Sequence, residues 1–455
     1  MISPDRLREK FARALSDMYQ SEAPRYRALV ALVASVNSET LRARPDLRAA
    51  LESSGECERL ALVRHGAVRV GTAAELSTLR RLFAAMGMAP VGYYDLSAVG
   101  LPVHSTAFRP LSEEALRQAP FRVFTSLLRV DLIADETLRH EVEAILARRT
   151  ILSPACETLL DRLDDAGGLA DAQADDFVSA ALETFRFHPR ASVPMAVYRR
   201  LHAAHPLIAD IVCFRGPHIN HLTLSTLDID AVQREMLAQG LEPKQTVEGP
   251  PARRNPILLR QTSFKAVAEP ICFSAPDEDA TALHCARFGE VEQRGAALTA
   301  KGRALYDRLL ERALAAPGAQ ALPDSFREFP DDIDAMRREG LAFFRYAPTA
   351  KGLARAGGLA PAACVEDLLS CGALAAEPIT YEDFLPVSAA GIFRSNLGDV
   401  AQAGDLARGG RAVFEEALGS EVLDATALYE RDASASLAAS LASLGASLSR
   451  SPPVR

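Results

Sequence analysis

The chain has 455 residues, 48% of them hydrophobic, which is enough to bury one large core or two to three modest ones. Fifty-nine acidic against 51 basic residues give a net charge of −8, and no basic run carries interleaved aromatics; this argues against nucleic acid and leaves small molecules as the expected partners. Seven cysteines (57, 156, 213, 272, 285, 364 and 371) form no CxxC pair and no even framework, the pattern of reduced thiols in a cytoplasmic protein.

In chain order, Ser3 is placed to cap a helix begun by Pro4, and Leu7, Phe11, Leu15 and Met18 recur at helical spacing. Pro24 opens a second helix. Its apolar stretch "ALVALVASV" (28–36) is too short to span a bilayer, and "MISPDRLREK" lacks a signal-peptide pattern, so a soluble cytoplasmic chain is expected. Residues 1–55 are thus read as N-terminal helices. "RLALVRHGAVRVGT" (59–72) reads as a strand and "AAELSTLRRLFAAMG" as a helix; "PVGYYDLS", "LPVHSTAFRPL" and "FRVFTSLLRV" read as three further strands within a module at 56–150. A helical insert at 151–207 starts at Ser153 and Pro154 and includes "ADDFVSAALETFRF". The first order then repeats over 208–298: strand "IVCFRGPHINHLTLST", helix "DIDAVQREMLAQGL", and strands in "PKQTVEG", "PILLRQTSFKAVAEPICF" and "CARFGEVEQRG". Residues 299–431 read as a helical and loop region completing the site. An Ala/Ser-rich tail follows at 432–455, its last residues expected to be disordered.

The repeat has a numerical test. His65 precedes Phe108 of "STAFRP" by 43 residues, and His221 precedes Phe264 of "QTSFKA" by 43. Equal spacing argues for duplication of one strand–helix–three-strand unit, hence an α+β fold in which two such modules form a metal-holding β-sheet core with added helices.

"RGPHINHLTL" (215–224) contains two histidines an odd number of residues apart, so in a regular strand His218 and His221 point to opposite faces. If the units are equivalent, His65 occupies in the first the place of His221 in the second, and a pseudo-twofold axis brings the two together. "RFGEVEQRG" adds Glu290 and Glu292 on one face; buried carboxylates are costly unless paired or metal-bound, so one is expected to ligate and the other to form an ion pair. Two histidines and one carboxylate with open positions beside them is the arrangement of non-haem Fe(II) oxygenases. Taken singly, each histidine also reads as a hydrogen-bonded core or surface residue and each glutamate as a salt-bridge partner. Arg69, four residues beyond His65, reads either as a bidentate clamp for a substrate carboxylate or as a solvated strand-end charge. "LPVSAAGIF" (385–393) reads as a ligand-facing segment or a plain packed loop.

At these residues the chain resembles a known family. "RHGAVRVGT", "GYYDLS", "FRGPHINHLT", "FGEVEQRG-AALTAKGRALYDRLL" and "DFLPVSAAGIF" are similar, in order, to the 2-oxoadipate dioxygenase/decarboxylase (2-hydroxyglutarate synthase) family, built on βαβββ modules of the vicinal-oxygen-chelate type. "EVEQR" also resembles the glutamate strand of 4-hydroxyphenylpyruvate dioxygenase, where the ligand stands three residues before Gln-Arg. The resemblance implies that His65, His221 and Glu290 bind Fe(II) and that Glu292 does not. It implies that Arg69 clamps the substrate's distal carboxylate and that Val387 and Ser388 line the pocket. The implied reaction takes a 2-oxo dicarboxylic acid and O₂: 2-oxoadipate gives (R)-2-hydroxyglutarate and CO₂ by oxidative decarboxylation and intramolecular hydroxylation, a step of lysine catabolism.

Two alternatives remain from the residues themselves. One is another metal-dependent enzyme of this architecture, a ring-cleaving dioxygenase or an isomerase or lyase; the other is a non-catalytic ligand-binding protein that keeps the duplicated fold.

Overall fold

The computed structural model of the chain describes residues 1–53, 56–275, 279–316, 320–355, 364–385 and 407–445. Two units form. The first comprises residues 1–248, 260–293 and 384–423; the second comprises 249–259, 294–383 and 424–455.

The first unit opens with α1 (Pro4–Glu22), whose cap Ser3 accepts from the Arg6 N–H, and α2 (Pro24–Ala43). The first module follows: β1 (Val63–Val70), α3 (Ala73–Ala85), β2 (Ala89–Asp95), β3 (Val103–Arg109) and β4 (Arg122–Leu128). After α4 (Ala174–Phe185), α5 (Met195–Ala204) and α6 (Pro206–Val212) comes the second module: β5 (His221–Ser225), α7 (Ile229–Ala238), β6 (Leu259–Ser263), β7 (Val267–Cys272) and β8 (Thr281–Arg294). The strands make one sheet in the order β2-β3-β4-β1-β5-β8-β6, with β7 paired to β8.

The duplication is visible residue by residue. Thr72 caps α3 and Asp228 caps α7, each accepting from the N–H three residues on, and the two caps are related by the same 156-position offset as His65 and His221. Both modules place their last strand parallel to their first, and β1 meets β5 antiparallel with Gly66 opposite Leu222. A local twofold therefore passes beside Gly66 and Leu222, as the equal spacing predicts.

Alternation divides the sheet's faces. Val68, Val70, Leu222, Leu224 and Val291 enter an apolar core shared with Leu15, Tyr26, Leu29 and Phe83 of the helices. Gly289 lets α2 come close: a Cβ there would sit 2.6 Å from the Phe264 ring and 2.9 Å from that of Tyr26. His65, Arg69, His221, Thr223, Glu290 and Glu292 take the opposite face.

Two expected strands change. "IVCF" belongs to α6 and the bends after it, because the His205 ring accepts from the Leu207 N–H and Pro206 begins a helix that consumes the apolar run. "PKQTVEG" makes only isolated bridges, Pro243 with Phe264 and Glu248 with Gln261.

In the second unit α8 (Ala300–Ala315), capped by Thr299, precedes an antiparallel pair, β9 (Phe344–Pro348) and β10 (Leu374–Pro378). There α9 (Ala425–Leu444) lies along β9, with the Ser440 hydroxyl donating to the Tyr346 carbonyl. The Ala/Ser-rich tail is thus helical to Leu444; its last ten residues lie outside the described ones.

Candidate metal centre

The central strands bring the ligands together. His65 stands opposite Thr223 and Ala67 opposite His221, so the two histidines flank the local axis on one face. β8 lies parallel to β5 with Glu290 beside Thr223. His65 Nε2 is 2.9 Å and His221 Nε2 3.4 Å from the same oxygen, Glu290 Oε2. The Thr223 hydroxyl lies 2.9 Å from His65 Nε2 and donates to that oxygen at 2.8 Å. One ligand atom from each of His65, His221 and Glu290 falls within 4.8 Å of the others, and all three residues are buried.

Burial pushes the His221 imidazole down to about 3, so it is neutral with a free lone pair. Burial opposes the charge of Glu290, but the hydrogen bond with His65 and the neighbouring His221 hold its carboxyl below the ordinary value. The donor set, imidazole nitrogens and an anionic oxygen converging from three buried residues, fits a divalent metal ion.

Neighbours orient these donors. The Gln261 amide donates to Glu290 Oε1 at 2.7 Å, which turns Oε2 toward the histidines. Glu292 Oε2 lies 3.1 Å from His65 Nδ1, a carboxylate behind a ligand-type imidazole. The Phe384 ring meets His65 edge-on at 4.8 Å and Phe124 at 5.1 Å, and the Phe384 N–H donates to the Tyr94 hydroxyl. Tyr94 is aimed there by a bulge at Gly92, whose φ of 74° suits glycine.

A second polar cluster lies beside the first. Arg69, 4% exposed, donates to Asp210 Oδ2 at 2.5 Å. His284 Nε2 and His218 Nε2 lie 3.0 and 3.2 Å from Asp210 Oδ1, and the Asn220 amide donates to Oδ2 at 3.2 Å. Burial works against the Asp210 charge, but His218, Arg69 and His284 hold its carboxyl well below the usual range.

The model of the 2-oxoadipate dioxygenase/decarboxylase family matches residues 11–396. The chain belongs to this family. A 2-oxoadipate dioxygenase/decarboxylase of Pseudomonas putida is 51% identical over 96% of this chain and 97% of its own; one of Escherichia coli is 52% identical over 94% and 96%. The crystal structure of the Pseudomonas putida hydroxyglutarate synthase in complex with 2-oxoadipate superposes with a TM-score of 0.88 at 50% identity, covering 98% of this chain and 99% of that one.

Against this family background, the residues singled out in the sequence fall into three groups. His65, His221 and Glu290 converge. Arg69 is on the same face but is buried and bonded to Asp210, so the solvated strand-end reading is wrong. Val387 and Ser388 lie outside the described residues. His218 stays apart from the triad, though not through strand alternation: β5 begins only at His221, and His218 sits before it against Asp210. Sequence reasoning missed Thr223, Gln261, Phe384 and Asp210. Only Thr223 carried a signal, two residues after His221 and hence on its face.

Proposed function

We propose that the chain is an Fe(II)-dependent 2-oxoadipate dioxygenase/decarboxylase that forms (R)-2-hydroxyglutarate and CO₂ in lysine breakdown. The observation that carries the reading is the buried convergence of His65, His221 and Glu290 across the local twofold, in a chain half identical to a relative described in complex with 2-oxoadipate. His65 and His221 would hold the ion through Nε2 and Glu290 through Oε2. Bound there, the ion supplies the redox chemistry that joins a 2-oxo acid to O₂.

The chain's own side chains do the rest. Gln261 fixes the orientation of Glu290, and the Thr223 hydroxyl holds Glu290 Oε2 and His65 Nε2 side by side, so the donors need no rearrangement. Phe384, Phe124 and Phe288, the last stacked on His221 at 4.6 Å, give the site an apolar wall that keeps water from the reacting carbons. Arg69 is the cation for the distal carboxylate, and a substrate lacking that group would leave it poorly matched. Val387 and Ser388 are proposed to line the pocket near the substrate. Among the described residues no helix is long and apolar enough to cross a membrane, which suits the cytoplasmic placement we propose.

The test is an oxygen electrode with CO₂ trapping on the Fe(II)-supplemented protein, with products from ¹⁸O₂ read by mass spectrometry. Consumption of 2-oxoadipate and O₂ should match release of CO₂ one for one, with both labelled oxygens in the hydroxy acid, one in its new carboxylate and one in its hydroxyl, and none in the CO₂. Absence of both O₂ uptake and CO₂ release rejects the reaction. Metal analysis of His65→Ala and His221→Ala tests the ligands independently: retention of a full equivalent of iron by either variant rejects that residue.

A further inference from the structure

Arg69 presents a charge problem for any dicarboxylate, because its charge is already matched by a buried anion. Asp210 is 3% exposed and lies 2.5 Å from Arg69, so the pair is neutral. A substrate carboxylate brought to the same guanidinium adds a second negative charge in a dry region, where like charges repel strongly.

The groups around Asp210 include a place for a compensating proton. His284 Nδ1 faces the Tyr198 hydroxyl at 3.1 Å and its Nε2 faces Asp210 Oδ1 at 3.0 Å, so each of its nitrogens has one partner. His218 differs. Its Nε2 lies 3.2 Å from Asp210 Oδ1, an acceptor, and 3.2 Å from the Asn220 amide nitrogen, a donor that also serves Asp210 Oδ2. A nitrogen in that position is satisfied by the amide when bare and by the carboxylate when protonated.

The other groups facing His218 do not compete for this role. Phe187 and Phe214 contact it edge-on at 5.0 and 5.7 Å. Arg287 of β8 is matched by Glu269 and Glu22. His202 on α5 and His205 between α5 and α6 are pushed down by burial, and Cys213 and Tyr198 are pushed up, so all four are neutral near pH 7. Burial also holds His218 below its ordinary value, against the pull of Asp210, so it starts unprotonated.

We propose that His218, acting through Asp210, takes up a proton when a dicarboxylic 2-oxo acid binds, so that Arg69 can hold the substrate's distal carboxylate without leaving Asp210 uncompensated. This rests on the reading of Arg69 as the distal-carboxylate clamp. His218 and Asp210 are then positioning residues for dicarboxylate selectivity and touch neither the metal donors nor the substrate. The proton comes from solvent and returns there on product release. Between the free-state and bound-state pKa of the cluster, affinity for a dicarboxylate falls up to tenfold per pH unit as pH rises, whereas a monocarboxylate of equal length shows no such slope.

The experiment is anaerobic calorimetry of the Fe(II)-loaded protein with 2-oxoadipate and with 2-oxohexanoate, in buffers of different ionisation enthalpy near pH 7. The expected result is tighter binding of 2-oxoadipate with uptake of up to about one proton more than for 2-oxohexanoate. His218→Gln should abolish the difference in uptake and weaken 2-oxoadipate roughly tenfold while leaving 2-oxohexanoate unchanged. Asp210→Asn, tested alongside in case His218→Gln folds poorly, should also abolish the difference. Equal uptake for the two ligands, with 2-oxoadipate still the tighter, overturns the proton coupling and leaves the Arg69 clamp standing. Equal affinity for the two ligands instead overturns the clamp, and the coupling with it.

Discussion

Replacing Gln261 by Leu removes one hydrogen bond at a known place in the site. The residue is buried, and its amide gives Glu290 Oε1 a 2.7 Å hydrogen bond while Oε2 faces the histidines. A hydrogen bond to a buried charged group contributes about 1.5–3 kcal/mol, and leucine offers the carboxylate nothing in return. At about 1.4 kcal/mol per decade the change corresponds to roughly 10–100-fold weaker metal binding, the range seen when partners of ligand residues are lost. The assay is anaerobic competition for Fe(II) against a chromophoric chelator, with urea unfolding of the metal-free protein in parallel. Unfolding should show a loss of about 1–3 kcal/mol from the unsatisfied oxygen. Iron affinity within about threefold of the parent, in a variant with a normal unfolding midpoint, would refute the claim that this amide orients Glu290.

Other substitutions probe the frame around the site. Gly289→Ala pushes a methyl against Phe264, Leu29 and Tyr26 and should cost about 1–3 kcal/mol in urea unfolding; an unchanged midpoint would show that α2 gives way freely. Arg8 is fully buried and donates to the carbonyls of Ala119, Met86 and Ala115, so Arg8→Met should cost about 3–5 kcal/mol, and a loss under 1 kcal/mol would contradict that count. Burial, with Arg129 nearby, pushes His104 down to about 4, below its value near 6.5 in the unfolded chain. The unfolded state therefore binds more protons between those values; the His104 contribution is full above pH 6.5 and is lost as pH falls through 4. His104→Asn should flatten the drop in urea midpoint between pH 7 and pH 5, and an unaltered drop would exclude His104 as its source. Arg69→Ala should weaken 2-oxoadipate at least tenfold in the same calorimetry while iron still binds; equal loss of both would refute the clamp.

Much of this site was legible because strand geometry is periodic. The parity of two puts Glu290 and Glu292 on one face, and the repeated 43-residue spacing links His65 to His221 across more than 150 residues. What was not legible came from elements whose partners are remote. Asp210 sits on a helix that the apolar run around it did not distinguish from a strand, and its contact with Arg69 spans 141 positions. Gln261 reaches Glu290 only through the pairing of β6 with β8, and Phe384 joins the aromatic wall from a segment with no periodic pattern. His218 was separated from His221 correctly but for a reason drawn from a strand that starts three residues later.

The duplication is broken at the place of the ligand glutamate, and that break gives the centre a direction. The 156-position offset maps Ala67 onto Thr223, and the last strand of each module pairs with these residues in register, Ala67 with Phe124 and Thr223 with Glu290, so Phe124 stands in the first module where Glu290 stands in the second. A faithful copy would surround an ion with four side chains, two imidazoles and two carboxylates, and leave it little reactive capacity. With a benzene ring in place of the second acid, the protein grips from one side only. The other flank is left to whatever small molecules arrive, facing an oily surface instead of a charge. Restoring the symmetry with Phe124→Glu would make a better-bound metal and a poorer catalyst.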